Sequence, residues 1–172
     1  MDMIKFKWYY VFMLFLPFLM VACDKNDDDE IIEYDDDIWD VVEQIPELST
    51  LETAIQAAGL ANTLDNDQAT LTLFAPVNNA FAALPAGELD ELLKDPTGAL
   101  KDILLYHVVD GAYSPGMLKD GLTLKTVNGA SISITKKDGA IKVNGAKVSE
   151  PIYVINGVVY LIDAVLTPPA AD

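Results

Sequence analysis

The chain has 172 residues, of which 51% are hydrophobic, so it can bury the core of one domain. It carries 27 acidic residues against 11 lysines and has no arginine, which gives a net charge of −16. This charge repels a phosphate backbone, so we expect no nucleic-acid partner. A single cysteine excludes an internal disulfide, and a single histidine excludes a multi-histidine metal site.

The N-terminus has the pattern of a secretory signal peptide. Lys5 and Lys7 precede an apolar run over residues 8–21. This run is shorter than the roughly 20 residues that a helix needs to span a bilayer. A basic start, an apolar segment of this length and the small Ala22 predict that residues 1–22 are removed. A buried core helix is the alternative, but no polar residue divides the run into faces.

The only cysteine, Cys23, follows directly. The stretch "LMVAC" resembles a bacterial lipobox, although Met20 stands where leucine is more usual. The resemblance implies that Cys23 becomes the first mature residue and carries acyl chains such as palmitate. Several acyl chains anchor a protein stably to a membrane. The sequence offers no second cysteine, metal cluster or nearby base that would support another role for this thiol.

A strongly acidic segment comes next. Between Asp24 and Asp40 there are ten acids and one lysine, a local net charge of −9. Residues 23–37 are therefore predicted to be the acylated cysteine and a disordered, extended tether. A calcium loop is disfavoured because the acid spacing and central glycine of an EF-hand are missing. The stretch "DKNDDDE" resembles the export signal of Bacteroidetes-type lipoproteins, which implies a lipid-anchored protein of the outer membrane whose domain faces the cell exterior.

Periodic patterns begin at Ile38 and predict helices first. Residues 49–52 have the sequence of a capping box, and the helix that follows is predicted to end with Gly59 at its C′ position. Residues 70–76 form a predicted strand, and Asn78 is predicted to cap the short helix after it. Two further helices are indicated by Leu89, Leu92 and Leu93, and by Asp95-Pro96 followed by Leu100, Ile103 and Leu104.

Beyond His107 the apolar residues alternate with polar ones, which predicts strands. Four dipeptides between the strands favour hairpin turns: Asn128-Gly129, Asp138-Gly139, Asn144-Gly145 and Asn156-Gly157. Residues 158–165 are apolar on both sides, so the last strand is predicted to be central. Helices followed by antiparallel strands indicate an α+β fold.

Three blocks resemble the fasciclin (FAS1) domain. "TLTLFAPVNNAFAALP" (residues 70–85) and "INGVVYLIDAVLTPP" (residues 155–169) resemble the two conserved blocks of the family. "LKDILLYHVVDG" (residues 100–111) resembles the central helix and strand with the Tyr-His element. The resemblance covers residues 38–169 and leaves 170–172 as a tail. It implies a single wedge of antiparallel strands with several short helices packed along one side.

The resemblance also implies a function. FAS1 proteins are typically secreted or surface-anchored and act in adhesion without catalysing reactions. We therefore expect a membrane-anchored extracellular module that recognises a matrix, glycan or cell-surface ligand, requires no cofactor and can self-associate weakly. The stretch "SEPIYVING" begins like the integrin-binding motif of animal members at Glu150-Pro151 but lacks its aspartate, so integrin recognition is not carried over. Val77 and Tyr160 replace the threonine and histidine that are frequent in the family.

The candidate binding or structural motif comprises six residues: Tyr106, His107, Glu150, Pro151, Asn156 and Asp163. His107 has apolar neighbours and is expected to be buried and hydrogen-bonded. The resemblance implies an adhesion role for the Tyr-His pair as well, and the sequence does not distinguish the structural role from the adhesive one. Asp163 lies in an apolar stretch, so we expect a buried structural carboxylate that satisfies a turn near the first block.

An enzymatic role in surface polysaccharide handling is the alternative function. Asp163, or the group formed by Glu88 and Glu91 with Asp90, would supply the carboxylates for acid–base chemistry. This role requires two carboxylates that face each other across a groove, roughly 5–10 Å apart. The spacing of the second group is more typical of a solvated helix face.

Overall fold

The computed structural model describes residues 36–169. The predicted signal peptide, Cys23, nearly all of the predicted tether and the tail at 170–172 lie outside the described residues. The helices are α1 (Ile38–Gln44), α2 (Ser49–Ala57), α3 (Ala61–Leu64), α4 (Asn78–Ala82), α5 (Glu88–Lys94) and α6 (Ala99–Tyr106), with a 3-10 turn at Pro46–Leu48. The strands are β1 (Leu71–Pro76), β2 (Val108–Asp110), β3 (Thr123–Lys125), β4 (Ser131–Lys137), β5 (Ala140–Val143), β6 (Ala146–Val154) and β7 (Gly157–Ile162). Within this part of the chain, no helix combines the length and apolar character needed to cross a membrane.

The seven strands form one sheet in the order β2-β1-β7-β6-β5-β4-β3. The predicted α+β class is confirmed, but β1 and β7 pair in parallel, with Leu71 opposite Gly157. The expectation of purely antiparallel strands is wrong at this point because β1 reaches β7 through a long excursion instead of a hairpin. The last strand is central as predicted, between β1 and β6, although it ends at Ile162 rather than at residue 165.

Two of the four predicted turn dipeptides form tight turns as predicted, whereas Gly157 already belongs to β7. Asp138 and Gly139 both have positive φ between β4 and β5, and so do Asn144 and Gly145 between β5 and β6. Two successive residues in this conformation are typical of a type I′ hairpin turn, which asparagine, aspartate and glycine tolerate best. These dipeptides therefore fix the register of the β4–β6 meander.

The sheet has a hydrophobic core on each side. The helix-side core packs the helices against β1 and β7, and its buried residues include Leu51, Ile55, Leu73, Leu100 and Val159. The strand-side core lies beneath the β3–β6 region, and its buried residues include Phe74, Tyr106, Ile132, Val143 and Tyr160. A bridge between Val109 and Thr126 brings β2 against the end of β3, so the two edges of the sheet approach each other.

The predicted capping box at residues 49–52 is wrong. Ser49 is already the first residue of α2, and its N-cap Leu48 makes no side-chain cap. The cap comes from Asn78, whose Oδ1 accepts the N–H of Thr50 at 2.9 Å while its amide donates to the carbonyl of Pro46 at 3.0 Å. Asn78 therefore caps α2 from another helix instead of capping its own helix as predicted, because the start of α4 packs against the start of α2.

A capping box does occur, at the start of α1. The Asp37 carboxylate accepts the Asp40 N–H at 2.9 Å, and the Asp40 carboxylate accepts the Asp37 N–H at 3.2 Å. Asp37 is buried, although it is the last residue of the predicted tether, and the carbonyl of Asp36 accepts the N–H of Ile155. Asp36 and Asp37, which were predicted to belong to the tether, are therefore part of the folded domain.

The predicted end of α2 is confirmed, whereas the predicted start of α6 is wrong. Gly59 follows α2 with a φ of 66°, in the C′ position predicted for it. In contrast, α6 begins at Ala99 rather than at Pro96. Asp95 instead closes a turn ahead of the helix, where its carboxylate accepts the N–H of Gly98 at 3.2 Å.

Candidate binding site

His107 is buried at the C-terminal end of α6. Its Nδ1 lies 2.7 Å from the carbonyl oxygen of Ile103, and its Nε2 accepts the N–H of Leu166 at 2.9 Å. Because a carbonyl only accepts, the ring proton is on Nδ1. Burial lowers the pKa of His107 to about 4, although the bond to Ile103 opposes the shift. The predicted buried and satisfied histidine is confirmed, and neither ring nitrogen is free to act as a base.

Tyr106, the preceding residue, faces the strand-side core. Its hydroxyl donates to the carbonyl of Ser131 at 2.9 Å and accepts from the side-chain amide of Asn144 at 2.9 Å. Tyr106 therefore ties the end of α6 to β4 and to the β5–β6 turn, and His107 ties it to the segment after β7. In the described structure, the polar atoms of both side chains are hydrogen-bonded to other residues of the domain.

Asn156 is buried in the turn between β6 and β7. Its Oδ1 accepts the N–H of Ile38 at 2.9 Å, and its Nδ2 donates to the carbonyl of Leu64 at 2.6 Å. One side chain thus holds together the start of α1, the end of α3 and the β6–β7 turn.

Glu150 and Pro151 lie in β6 at a break in its pairing with β7. Proline has no N–H for the ladder. In this region the hydroxyl of Ser149 accepts the N–H of Leu161 at 3.0 Å. Glu150 is exposed beside this irregular stretch.

Asp163 differs from its prediction. It is exposed rather than buried, because β7 ends one residue earlier, at Ile162. Its carboxylate accepts the N–H of Lys147 at 2.8 Å, so it satisfies β6 and not the first conserved block. The six residues of the candidate motif are distributed over separate parts of the domain and do not form one site.

The carboxylates of the enzymatic alternative lie on different elements. Glu88, Asp90 and Glu91 occupy the first turn of α5 on exposed or half-exposed positions. Asp163 contacts β6 instead. Over residues 36–169 no three acidic, histidine or cysteine side chains are grouped as metal ligands would be.

An apolar cleft lies between α2, α3, α6 and the β1–β2 edge, with a volume of about 190 Å³. Its walls include Leu51, Ile55, Leu60, Leu73, Leu104 and Val127. Val127 is 39% exposed, and polar groups come from Thr63, Asn66 and Asp110. His107 forms part of the wall, but both of its nitrogens are already bonded. Sequence reasoning missed this cleft because its lining is spread from Leu51 to Val127 without a local motif.

The sequence profile of the family described as "Fasciclin domain" matches residues 46–168. The chain belongs to the fasciclin domain family. The fold is also similar to a FAS1 domain pair from the insect cell adhesion molecule Fasciclin I, with a TM-score of 0.62, 21% identity, and coverage of 76% of this chain and 50% of that one. The predicted FAS1-like fold is thus confirmed.

The chain is similar to parts of two longer proteins. The chain is 41% identical over 134 residues to transforming growth factor-beta-induced protein ig-h3 of Oryctolagus cuniculus, covering 77% of this chain and 19% of the relative. It is 39% identical over 131 residues to the cell surface glycolipoprotein MPB83 of Mycobacterium bovis, covering 73% of this chain and 57% of the relative. The chain therefore spans about a fifth of the first relative and somewhat more than half of the second.

Two departures from the fasciclin motif have visible consequences. Val77 precedes α4 and makes no side-chain cap there. Tyr160 is buried, donates its hydroxyl to the carbonyl of Tyr113 at 2.7 Å and stacks on Phe74 with ring centroids 5.6 Å apart. Burial raises the pKa of the Tyr160 hydroxyl, which remains a neutral hydrogen-bond donor.

Proposed function

We propose that this protein is a non-catalytic binding module of the cell surface, anchored by lipid on Cys23, which recognises a matrix or cell-surface ligand through its apolar cleft. The observation that carries this proposal is the cleft itself. Leucine and isoleucine side chains wall a space of about 190 Å³, and Val127 is exposed beside it. Apolar surface left open to water gains free energy when a partner covers it.

The size of the cleft indicates what it accepts. Cavities of about 150 Å³ lined by apolar side chains hold a molecule the size of benzene. A leucine or phenylalanine side chain of a protein ligand has similar dimensions. Aromatic and aliphatic anchors that fill such pockets commonly dominate the binding energy of an interface.

The chemistry of the described residues supports binding rather than catalysis. His107 uses both ring nitrogens in backbone contacts, so a triad built on it has no base. Asp163 and the acids of α5 lie on separate elements, whereas glycoside hydrolysis needs two carboxylates across one groove.

The names of the relatives support an extracellular location. One is a cell surface glycolipoprotein, and the structural neighbour is a cell adhesion molecule. The basic and apolar N-terminus followed by "LMVAC" is consistent with export and acylation of this chain. The domain would then face the outside of the outer membrane, joined to its anchor by the acidic segment.

An array of matrix proteins and glycans probed with the purified protein tests ligand binding through the cleft. Val127→Glu places a charge beside the cleft and is expected to weaken binding at least tenfold. Met117→Glu is the matched control, because Met117 is 51% exposed and is not among the residues that line the cleft. Equal binding by the two variants, or no ligand on the array for the unmodified protein, would contradict the proposal.

The anchor has its own test. Cells grown with radiolabelled palmitate should yield labelled protein in the membrane fraction, and Cys23→Ser protein should carry no label and appear in the soluble fraction. If the unmodified protein takes up no label, the proposed lipid anchor is wrong, and the proposed binding through the cleft is unaffected.

A further inference from the structure

The outer face of the β3–β6 region carries a row of lysines. Lys142 in β5 lies opposite Lys147 in β6, and on its other side it lies opposite Thr135 in β4. All three positions are exposed. Residues directly opposite each other across strands project from the same side of the sheet. Two ammonium groups therefore stand next to each other on one surface.

The same surface extends across β3 and β4. Lys125 pairs with Ser131, and residues 131, 133, 135 and 137 alternate with the buried Ile132 and Ile134. We call the surface formed by Lys125, Lys137, Lys142 and Lys147 the lysine face. Hydroxyl groups of Thr123, Ser131, Ser133 and Thr135 occupy the ladder positions between these lysines.

The charge of the segment that carries the lysine face contrasts with the charge of the rest of the domain. Residues 36–106 contain thirteen acids and two lysines, whereas residues 107–169 contain five acids and six lysines. Like charges directly opposite each other across strands destabilise a sheet. Acids near the row lie at its margins: Asp138 is in the turn after β4, and Asp163 binds the backbone of Lys147. A ligand with spaced negative charges would relieve the repulsion between Lys142 and Lys147.

We infer that the lysine face binds an acidic polysaccharide. This inference rests on the proposed surface-binding function and names a ligand class for the module, at a surface other than the apolar cleft. Along a strand, alternate side chains repeat every 6–7 Å or so, and neighbouring strands are about 4.8 Å apart. Ammonium groups at these intervals match carboxylate or sulfate groups repeated along a polymer. The interleaved serine and threonine hydroxyls both donate and accept hydrogen bonds, as sugar hydroxyls require.

Other anionic partners fit less well. Insertion into a membrane surface requires aromatic or aliphatic side chains beside the cations, and the ladder positions between the lysines carry serine and threonine instead. Nucleic acid is disfavoured because the chain has no arginine, the residue that best makes bidentate contacts to phosphates and base edges.

The test measures binding of the full-length protein, purified in a non-ionic detergent, to immobilised polygalacturonate, with neutral dextran as the reference polymer. Binding to polygalacturonate at low salt, its decline as salt rises, and no binding to dextran are the expected results. The double variant Lys142→Gln/Lys147→Gln is expected to bind at least tenfold more weakly. Lys94→Gln/Lys101→Gln is the matched control, because it removes two charges from α5 and α6 and is expected to bind normally.

Several results would overturn the inference. These are no binding at low salt, equal losses in the two double variants, and equal binding to dextran. Stronger lysine-dependent binding to phosphatidylglycerol vesicles than to polygalacturonate would assign the face to a lipid surface instead. Val127→Asn separates the two proposals, since it should weaken recognition through the cleft without adding a charge near Lys125 and should leave polygalacturonate binding unchanged.

Discussion

The Nε2 atom of His107 accepts the backbone N–H of Leu166 at 2.9 Å, although the two residues are 59 positions apart. This bond joins the Tyr-His element to the C-terminal conserved block of the fasciclin domain. It requires a neutral imidazole, because a protonated ring has no acceptor nitrogen. The fold therefore holds its only histidine in one protonation state.

A pH-dependent loss of stability follows from this arrangement. The pKa of His107 is about 4 in the folded protein and near 6.5 when unfolded, so between these values only the unfolded chain takes up the proton. The histidine's stabilisation is complete above pH 6.5 and is lost as the pH falls through about 4, a loss of roughly 3 kcal/mol.

The measurement compares the free energy of unfolding of the unmodified protein and of His107→Asn in urea from pH 7.5 to 3.5. The variant keeps a side-chain donor but removes the titrating ring. The difference between the two proteins should shrink by roughly 3 kcal/mol across this range. A difference that does not vary with pH would show that protonation of His107 is not coupled to folding.

Asn156→Ala should be strongly destabilising. It removes the partners of the Ile38 N–H and the Leu64 carbonyl, both bonded to Asn156 in the interior. Unsatisfied buried groups cost about 1–3 kcal/mol each, so we expect a loss of about 2–4 kcal/mol in urea unfolding. Asn128→Ala removes the same amide from a half-exposed position in the β3–β4 turn and should cost less than about 1 kcal/mol. Similar losses in the two variants would argue against a special role for Asn156.

The cap that Asn78 supplies to α2 can be tested against its neighbour. Asn78→Ala leaves the Thr50 N–H without its side-chain acceptor and should lower the free energy of unfolding by about 1 kcal/mol. Asn79→Ala changes an exposed residue of the same helix and should leave stability within about 0.5 kcal/mol. Equal effects would mean that loss of asparagine from α4, rather than loss of the cap, determines the outcome.

Local structure was predictable where a few adjacent residues determine it. Asp138-Gly139 and Asn144-Gly145 form tight turns because their own backbone preferences match the turn. Gly59 ends α2 for the same reason. The burial of His107 followed from its apolar neighbours.

Features that depend on distant partners were not predictable in this way. Ser49 had the sequence of a cap, but Asn78 arrives from 28 residues away and supplies the bond to Thr50 instead. Asp163 was predicted to be buried because its neighbours are apolar, yet β7 ends just before it. The parallel pairing of β1 with β7 and the apolar cleft both combine segments that no local pattern connects.

Gly157 begins β7 and lies opposite Leu71 in the parallel pairing with β1. A Cβ atom added there would overlap the backbone carbonyl of Leu71, which cannot move away as a flexible side chain could. Gly157→Ala should therefore separate the parallel strands and cost about 3 kcal/mol, the upper part of the range for overpacked interiors. Gly116→Ala is the control, since a Cβ at that position meets open space and should change stability by less than about 0.5 kcal/mol. Hydrogen exchange of the β1 and β7 amides would locate the effect: the Gly157 variant should lose protection in these two strands first, and unchanged protection there would show that the strands accommodate the methyl group without separating.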